Sequence, residues 1–296
     1  MAKAKTRLDR SWARELSKKE RRELQREYAR EERERAAISR RRRRIVGWTV
    51  GPIAAAAVLV VVVVVVVAQV REGMRGPQNM LSDGLLEEGS GDGSTYAAAS
   101  TAALAWGDEP TVNTSDYTST GVLDIQLYLD PTDAASATFW STNASSLVTY
   151  LEESAVTVEL HPVAFGNSDV GIAAVAAFGC VADTEPDVAW DYLDAMLTAT
   201  AAGSPPSSDT LLSLATSAGV TGTDTEKCIT DGGFRSWAAE VSTRAAESVP
   251  YAEGLMTVHA VSAAPVIVAA GSTYSGAMDD ADAFTSFLSA AASAAG

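Results

Sequence analysis

Between Arg75 and Lys227 the sequence contains neither lysine nor arginine. A stretch of that length without a cation cannot neutralise phosphate, so nucleic-acid binding by this part of the chain is excluded on charge. Cysteine is nearly as scarce. Two residues, Cys180 and Cys228, exclude a disulfide scaffold and a four-cysteine zinc site. Histidine also occurs twice, as His161 and His259, with no cysteine or acid at ligand spacing. Both therefore read as structural, and no metal or cofactor is expected. Aromatic residues make up 7%, enough for one modest core.

The cations that are present gather at the start. Residues 1–45 carry 18 of the 23 lysines and arginines with 8 acids, a net charge of +10. The remaining 251 residues carry 5 cations and 30 acids, or -25. From Ile45 to Ala68 there are 24 uncharged residues ending in the block Val60–Val67. At ~1.5 Å per helical residue this run exceeds the ~30 Å hydrocarbon core of a bilayer. Arg40–Arg44 precede it directly, against only Arg71 and Arg75 beyond it. The positive-inside rule then places residues 1–44 in the cytoplasm, beside anionic lipid, and 69–296 outside it. A cleaved signal peptide fits less well, since its apolar stretch is shorter and its basic region is brief.

Residues 7–44 alternate Glu and Arg and predict a helix charged on all sides. Leu8, Trp12 and Leu16 form a short apolar stripe. Residues 69–120, rich in Gly, Ser, Thr and Asp, predict a flexible acidic tether, with Trp106 available to dock on the domain after it. The sequons at Asn113 and Asn143 read as chance occurrences.

Residues 121–296 alternate strand and helix. Val122–Leu129 and Val156–Leu160 predict buried strands, joined by a helix over Ala134–Glu153. A helical block fills about 168–248, with helices over 168–182, Asp183–Thr200, Asp209–Ala218 and Asp224–Ala246. Strands Val266–Ala270 and Ser272–Ser275 come next, then a helix over Ala281–Ser293 whose positive end suits Asp279, Asp280 and Asp282. Strand–helix–strand, an insert, then strand–strand–helix predicts an α/β thioredoxin-like fold interrupted by helices.

In this order and spacing, residues 121–293 resemble the DsbA family of extracytoplasmic thiol–disulfide oxidoreductases, in its membrane-anchored actinobacterial form. Leu127-Tyr128-Leu129-Asp130 matches the end of the family's first strand, and Phe139 stands nine residues past Asp130, as the family has it. Ala263-Ala264-Pro265-Val266-Ile267-Val268-Ala269-Ala270-Gly271 matches the segment around the family's cis-proline, which faces the active site. Between them, Pro186-Asp187, Trp190-Asp191-Tyr192 and Leu214-Ala215 fit the insert.

The resemblance fails where the family's chemistry resides. Its two catalytic cysteines fall on Asp133 and Ser136, its intervening proline on Ala134, and its aromatic on Pro131. Exchange needs one thiolate to attack sulfur and a second thiol to resolve the mixed disulfide. The resemblance thus implies a redox-inactive member with no catalytic residues. Its groove, around Asp133, Ser136, Ala264 and Pro265, would bind an extracytoplasmic protein or peptide. Related members also carry a structural disulfide in the insert, which Cys180 and Cys228 fit. Two alternatives remain open at this point. One is an oxidoreductase using Cys180 and Cys228. The other is a membrane scaffold working through the basic arm.

Overall fold

The computed structural model describes residues 18–72, 75–113, 121–166, 168–249 and 260–295. The chain divides into two compact units, 1–68 and 69–296. Helix α1 (Lys18–Glu72) covers 55 residues, of which those up to Ala68 belong to the first unit. The expected span 45–68 lies inside it, and Ala57–Val66 are exposed. The other side chains of that span, and the stripe at Leu8, Trp12 and Leu16, lie outside the described residues. No helix among the described residues is long and apolar enough to cross a membrane.

The second unit is built on a six-stranded mixed sheet. Its strands are β1 (Leu85–Gly89), β2 (Tyr96–Ala98), β3 (Leu123–Leu129), β4 (Val156–Pro162), β5 (Val266–Ala269) and β6 (Ser272–Thr273). Their spatial order is β2-β1-β4-β3-β5-β6. β3 and β4 are parallel, and the other neighbours are antiparallel. Helix α2 (Ala134–Glu152) joins β3 to β4, and α8 (Ala281–Ala295) comes after β6. Between β4 and β5 stand α3 (Asp169–Thr184), α4 (Ala189–Ala201), α5 (Leu211–Ser217), α6 (Thr223–Asp231) and α7 (Arg235–Glu247). Strands β3, β4, β5 and β6, with α2, α8 and the insert, have the arrangement expected of a thioredoxin-like fold.

Side chains alternate across a strand, so β3 divides cleanly. Leu123, Ile125, Leu127 and Leu129 lie on one face, Asp124, Gln126 and Tyr128 on the other, and all seven are buried. The apolar face packs on α2 and α8, where Phe139 meets Phe284 edge-on with ring centroids 5.1 Å apart. On the insert side, Trp140 packs against Trp190 at 4.7 Å and its indole N–H donates to Asp194 Oδ1 at 2.8 Å. Helix α3 runs through the core with small residues, Ala173–Ala177 and Gly179 among them, buried on several sides.

Three expectations change. Residues 69–120 are not simply a tether. Leu85 pairs with Leu160 and Glu88 with Thr157 in the sheet, and Met80, Leu85, Leu86 and Leu104 are buried. The run contains few large apolar residues, but these four are buried, while Trp106 is exposed. The helix expected over Asp183–Thr200 breaks at Glu185, and Pro186–Val188 form a separate 3-10 turn. The helix expected over Asp224–Ala246 is two. Gly232 adopts left-handed φ +68° as a C-cap, and the Gly233 N–H donates to the Cys228 carbonyl at 2.8 Å.

Candidate functional site

The loop from β3 into α2 is held by its own side chains. The Asp130 carboxylate accepts from the Thr132 N–H at 2.8 Å and the Thr132 hydroxyl at 2.7 Å. Burial pushes the Asp130 carboxyl up, the Thr132 bonds oppose this, and nearby Asp133 adds to it. Asp133 is the N-cap of α2, with Oδ2 accepting from the Ser136 N–H at 2.7 Å. This satisfies one of the four N–H groups that a helix start leaves without a partner. Ser136 is fully buried, and its Oγ accepts from the Asp130 N–H at 3.2 Å. No base stands against that hydroxyl among the described residues, so it is not an activated nucleophile. Both positions do structural work. Asp133→Ala should therefore lower unfolding stability by about 1 kcal/mol, while Asp133→Asn should cost little. Denaturant titration of the three proteins would check this; an unchanged Ala variant would deny the cap.

The second half of the expected groove lies at the same end of the sheet. Val266 pairs with Tyr128, so Pro265 stands beside Leu129, from which the chain enters Asp130. The Ala264–Pro265 peptide is cis, and both residues are half-buried. β6 pairs only with Val268 and Ala269, and the Tyr274 N–H adds a bond to the Ile267 carbonyl. The outer edge of β5 is thus uncovered by β6 from Val266 backward. Cys180 and Cys228 lie elsewhere, on α3 and α6, joined in a disulfide with Cα atoms 5.7 Å apart. Gly233 makes room for it: a Cβ there would sit 2.5 Å from Cys228 Sγ.

The polar face of the sheet carries a cluster that was not legible in the sequence. Ser82 Oγ donates to Glu159 Oε1, and Asn113 Nδ2 donates to both, at 2.9 and 3.2 Å. His161 Nε2 lies 3.2 Å from Glu159 Oε2, at ion-pair distance but out of line for a hydrogen bond. The His161 ring stacks on Tyr128 at 4.4 Å and fills the space that a side chain at Gly84 would need. Beside it, the Arg244 guanidinium grips Asp83 through Nε (2.7 Å) and Nη2 (2.8 Å), and Trp237 Nε1 donates to the same carboxylate at 2.8 Å. A serine, an acid and a histidine suggest hydrolytic chemistry, but the order is wrong. Glutamate stands between serine and histidine, so His161 cannot take the serine proton. The cluster fastens β1 and the Asn113 segment to β4. The alternation Thr157, Glu159, His161 in β4 was its one sequence signal. His161 is buried beneath Tyr128, and His259 lies outside the described residues. Among the described residues no three His, Cys, Asp or Glu side chains could hold a metal.

No family model and no curated protein matches the chain. Among solved structures, it is similar to the disulfide bond oxidoreductase DsbG of Mycobacterium tuberculosis. That match has 20% identity over 58% of this chain and 84% of the other, with a TM-score of 0.46. It is also similar to DsbA of Mycobacterium tuberculosis, with 18% identity, 71% and 99% covered, and a TM-score of 0.46. A third is the thiol-disulfide oxidoreductase MdbA of Actinomyces oris, with 14% identity, 59% and 83% covered, and the same TM-score. At these values the strand order, rather than the likeness, carries the fold.

Proposed function

We propose that this chain is a single-pass membrane protein whose extracytoplasmic DsbA-like domain has lost redox chemistry and binds protein or peptide partners. One observation carries the reading. The positions aligned with the catalytic cysteines, Asp133 and Ser136, are an N-cap and a buried first-turn hydroxyl, while the chain's two cysteines are bonded to each other in the insert. No thiol is left to start an exchange, and the helix start is satisfied without sulfur. The uncovered edge of β5 near Pro265 supports recognition of an extended partner by strand addition. Residues 45–68 would anchor the domain, with 1–44 cytoplasmic and Arg40–Arg44 against anionic lipid.

The test is a dithiol assay on the full chain. Insulin reduction and oxidation of a reduced model peptide should both stay at background, with Ser136→Cys alone unable to raise either. Asp133→Cys combined with Ser136→Cys should restore turnover. A thiol at a helix start has its pKa lowered by a unit or more, raising the thiolate fraction roughly tenfold near neutral pH. Turnover by the unmodified chain that disappears in Cys180→Ser would replace this reading with an oxidoreductase working through Cys180 and Cys228.

A further inference from the structure

We propose that a cavity between residues 104–110 and helix α7 is a docking site for a basic polypeptide, one presenting lysine or arginine side chains about three residues apart. The site shares no lining residue with Asp133, Ser136, Ala264 and Pro265, and does not rest on the function proposed above. The cavity measures about 350 Å³. Its apolar wall includes the buried Trp237, and its mouth carries Trp106, which is 44% exposed. Trp106 and Val170 are the only large apolar side chains so exposed among the described residues of the second unit. Four exposed carboxylates line the rest: Asp108 and Glu109 on the loop, Glu240 and Glu247 on the helix.

The charge balance names the occupant. Arg244, the one cation lining the cavity among the described residues, is already bound to Asp83 and lies 3.2 Å from Glu240. The other cations of residues 75–295 are also taken. Arg75 faces Asp183 at 3.1 Å, Arg235 faces Asp169 at 3.5 Å, and Lys227 pairs with Asp231. Arg244 is one charge shared by Asp83 and Glu240, and none of these cations pairs with Asp108, Glu109 or Glu247 among the described residues. An anion entering the cavity would meet like charge, whereas a cation meets carboxylates and an indole face, which attracts it further.

Spacing favours a chain over a small amine. Glu240 and Glu247 are seven helical residues apart, or about 10 Å along α7. In a polyproline II segment, residues three apart lie on one face about 9 Å from each other. One amine reaches one end of this row; two side chains on such a segment reach both.

The probe is the fluorescein-labelled peptide Gly-Lys-Leu-Ala-Lys-Gly, titrated by anisotropy into the full-length protein in detergent. Binding should weaken with added salt, and the same peptide with Glu in place of Lys should not bind. Trp106→Ala, and separately Glu109→Gln with Glu247→Gln, should each weaken binding roughly tenfold. Asp209→Asn with Asp279→Asn removes the same charge from exposed positions outside the cavity and should change it by less than about twofold. The proposal is overturned if no binding is seen at millimolar protein. Equal losses in the two double variants would overturn it too, leaving only general attraction to an acidic surface. So would unchanged binding in Trp106→Ala together with the rim variant. Arginine amide competing as well as the unlabelled peptide would overturn the assignment to a polypeptide.

Discussion

The Glu87→Gln protein should resist denaturant better than the unmodified chain at pH 8, and no better at pH 4. Glu87 lies in β1, opposite Val158, and is 1% exposed. Its Oε1 has no hydrogen-bond partner among the described residues. Burial, then the charges of Asp187 and Asp191, push its carboxyl up to about 8. Tyr96 on the adjoining strand shows the same crowding. Burial first, then Asp191 and Glu87, push its phenol up to about 12. The folded protein therefore holds the Glu87 proton more tightly than the unfolded chain does. The stability that this supplies is complete below pH ~4.5 and is lost as pH rises through the folded value. At about 1.4 kcal/mol per pH unit, the loss reaches roughly 3–5 kcal/mol by pH 8. Glutamine keeps the shape and cannot ionise, so its stability should escape that loss. Urea midpoints of both proteins from pH 4 to 9 would measure it. The decisive quantity is the growth of the gap with pH, which a constant offset from the amide does not affect. A gap that stays level across that range would mean that Glu87 ionises freely in the folded state.

Removing the disulfide should have an effect of similar size. Cys180 and Cys228 are 48 residues apart in sequence. Closing a loop of that length restricts the unfolded chain enough to stabilise the fold by about 4 kcal/mol in the chain-entropy treatment. Replacing both cysteines with alanine should lower the unfolding free energy by roughly that amount, as should reductant applied to the unmodified protein. The two treatments should agree, and the alanine variant should ignore reductant. If reductant leaves the urea midpoint of the unmodified protein in place, the bond does not support the fold.

What the sequence disclosed and what it hid have separate physical causes. The helix beginning at Ala134 was legible because its cap and its apolar residues, Trp140, Leu147 and Leu151, are local signals. The insert was legible as helical, but its breaks were not. Phe234 at φ +57° and Gly232 at φ +68° depend on how α6 and α7 pack around the disulfide. β1 was missed because Leu85-Leu86-Glu87-Glu88-Gly89 looks like acidic linker. Glu87 faces inward only because β4 offers its edge there, which is a fact about distant residues. The same holds for the Ser82, Asn113, Glu159 and His161 cluster, whose members come from three segments. Asp133, directly before the helix expected from Ala134, caps it by accepting from the Ser136 N–H at 2.7 Å.

The sheet is flanked by strands of three and two residues, β2 and β6. An outermost strand is where one molecule can extend the sheet of another, and long flat ones seed aggregation. Here a neighbouring copy would find too few backbone groups in register to continue the ladder. Crowding many copies side by side should therefore favour separate molecules over fibrils. The stretch of β5 edge that β6 leaves uncovered, beside Pro265, is long enough to hold a partner's few residues but too short to propagate a sheet.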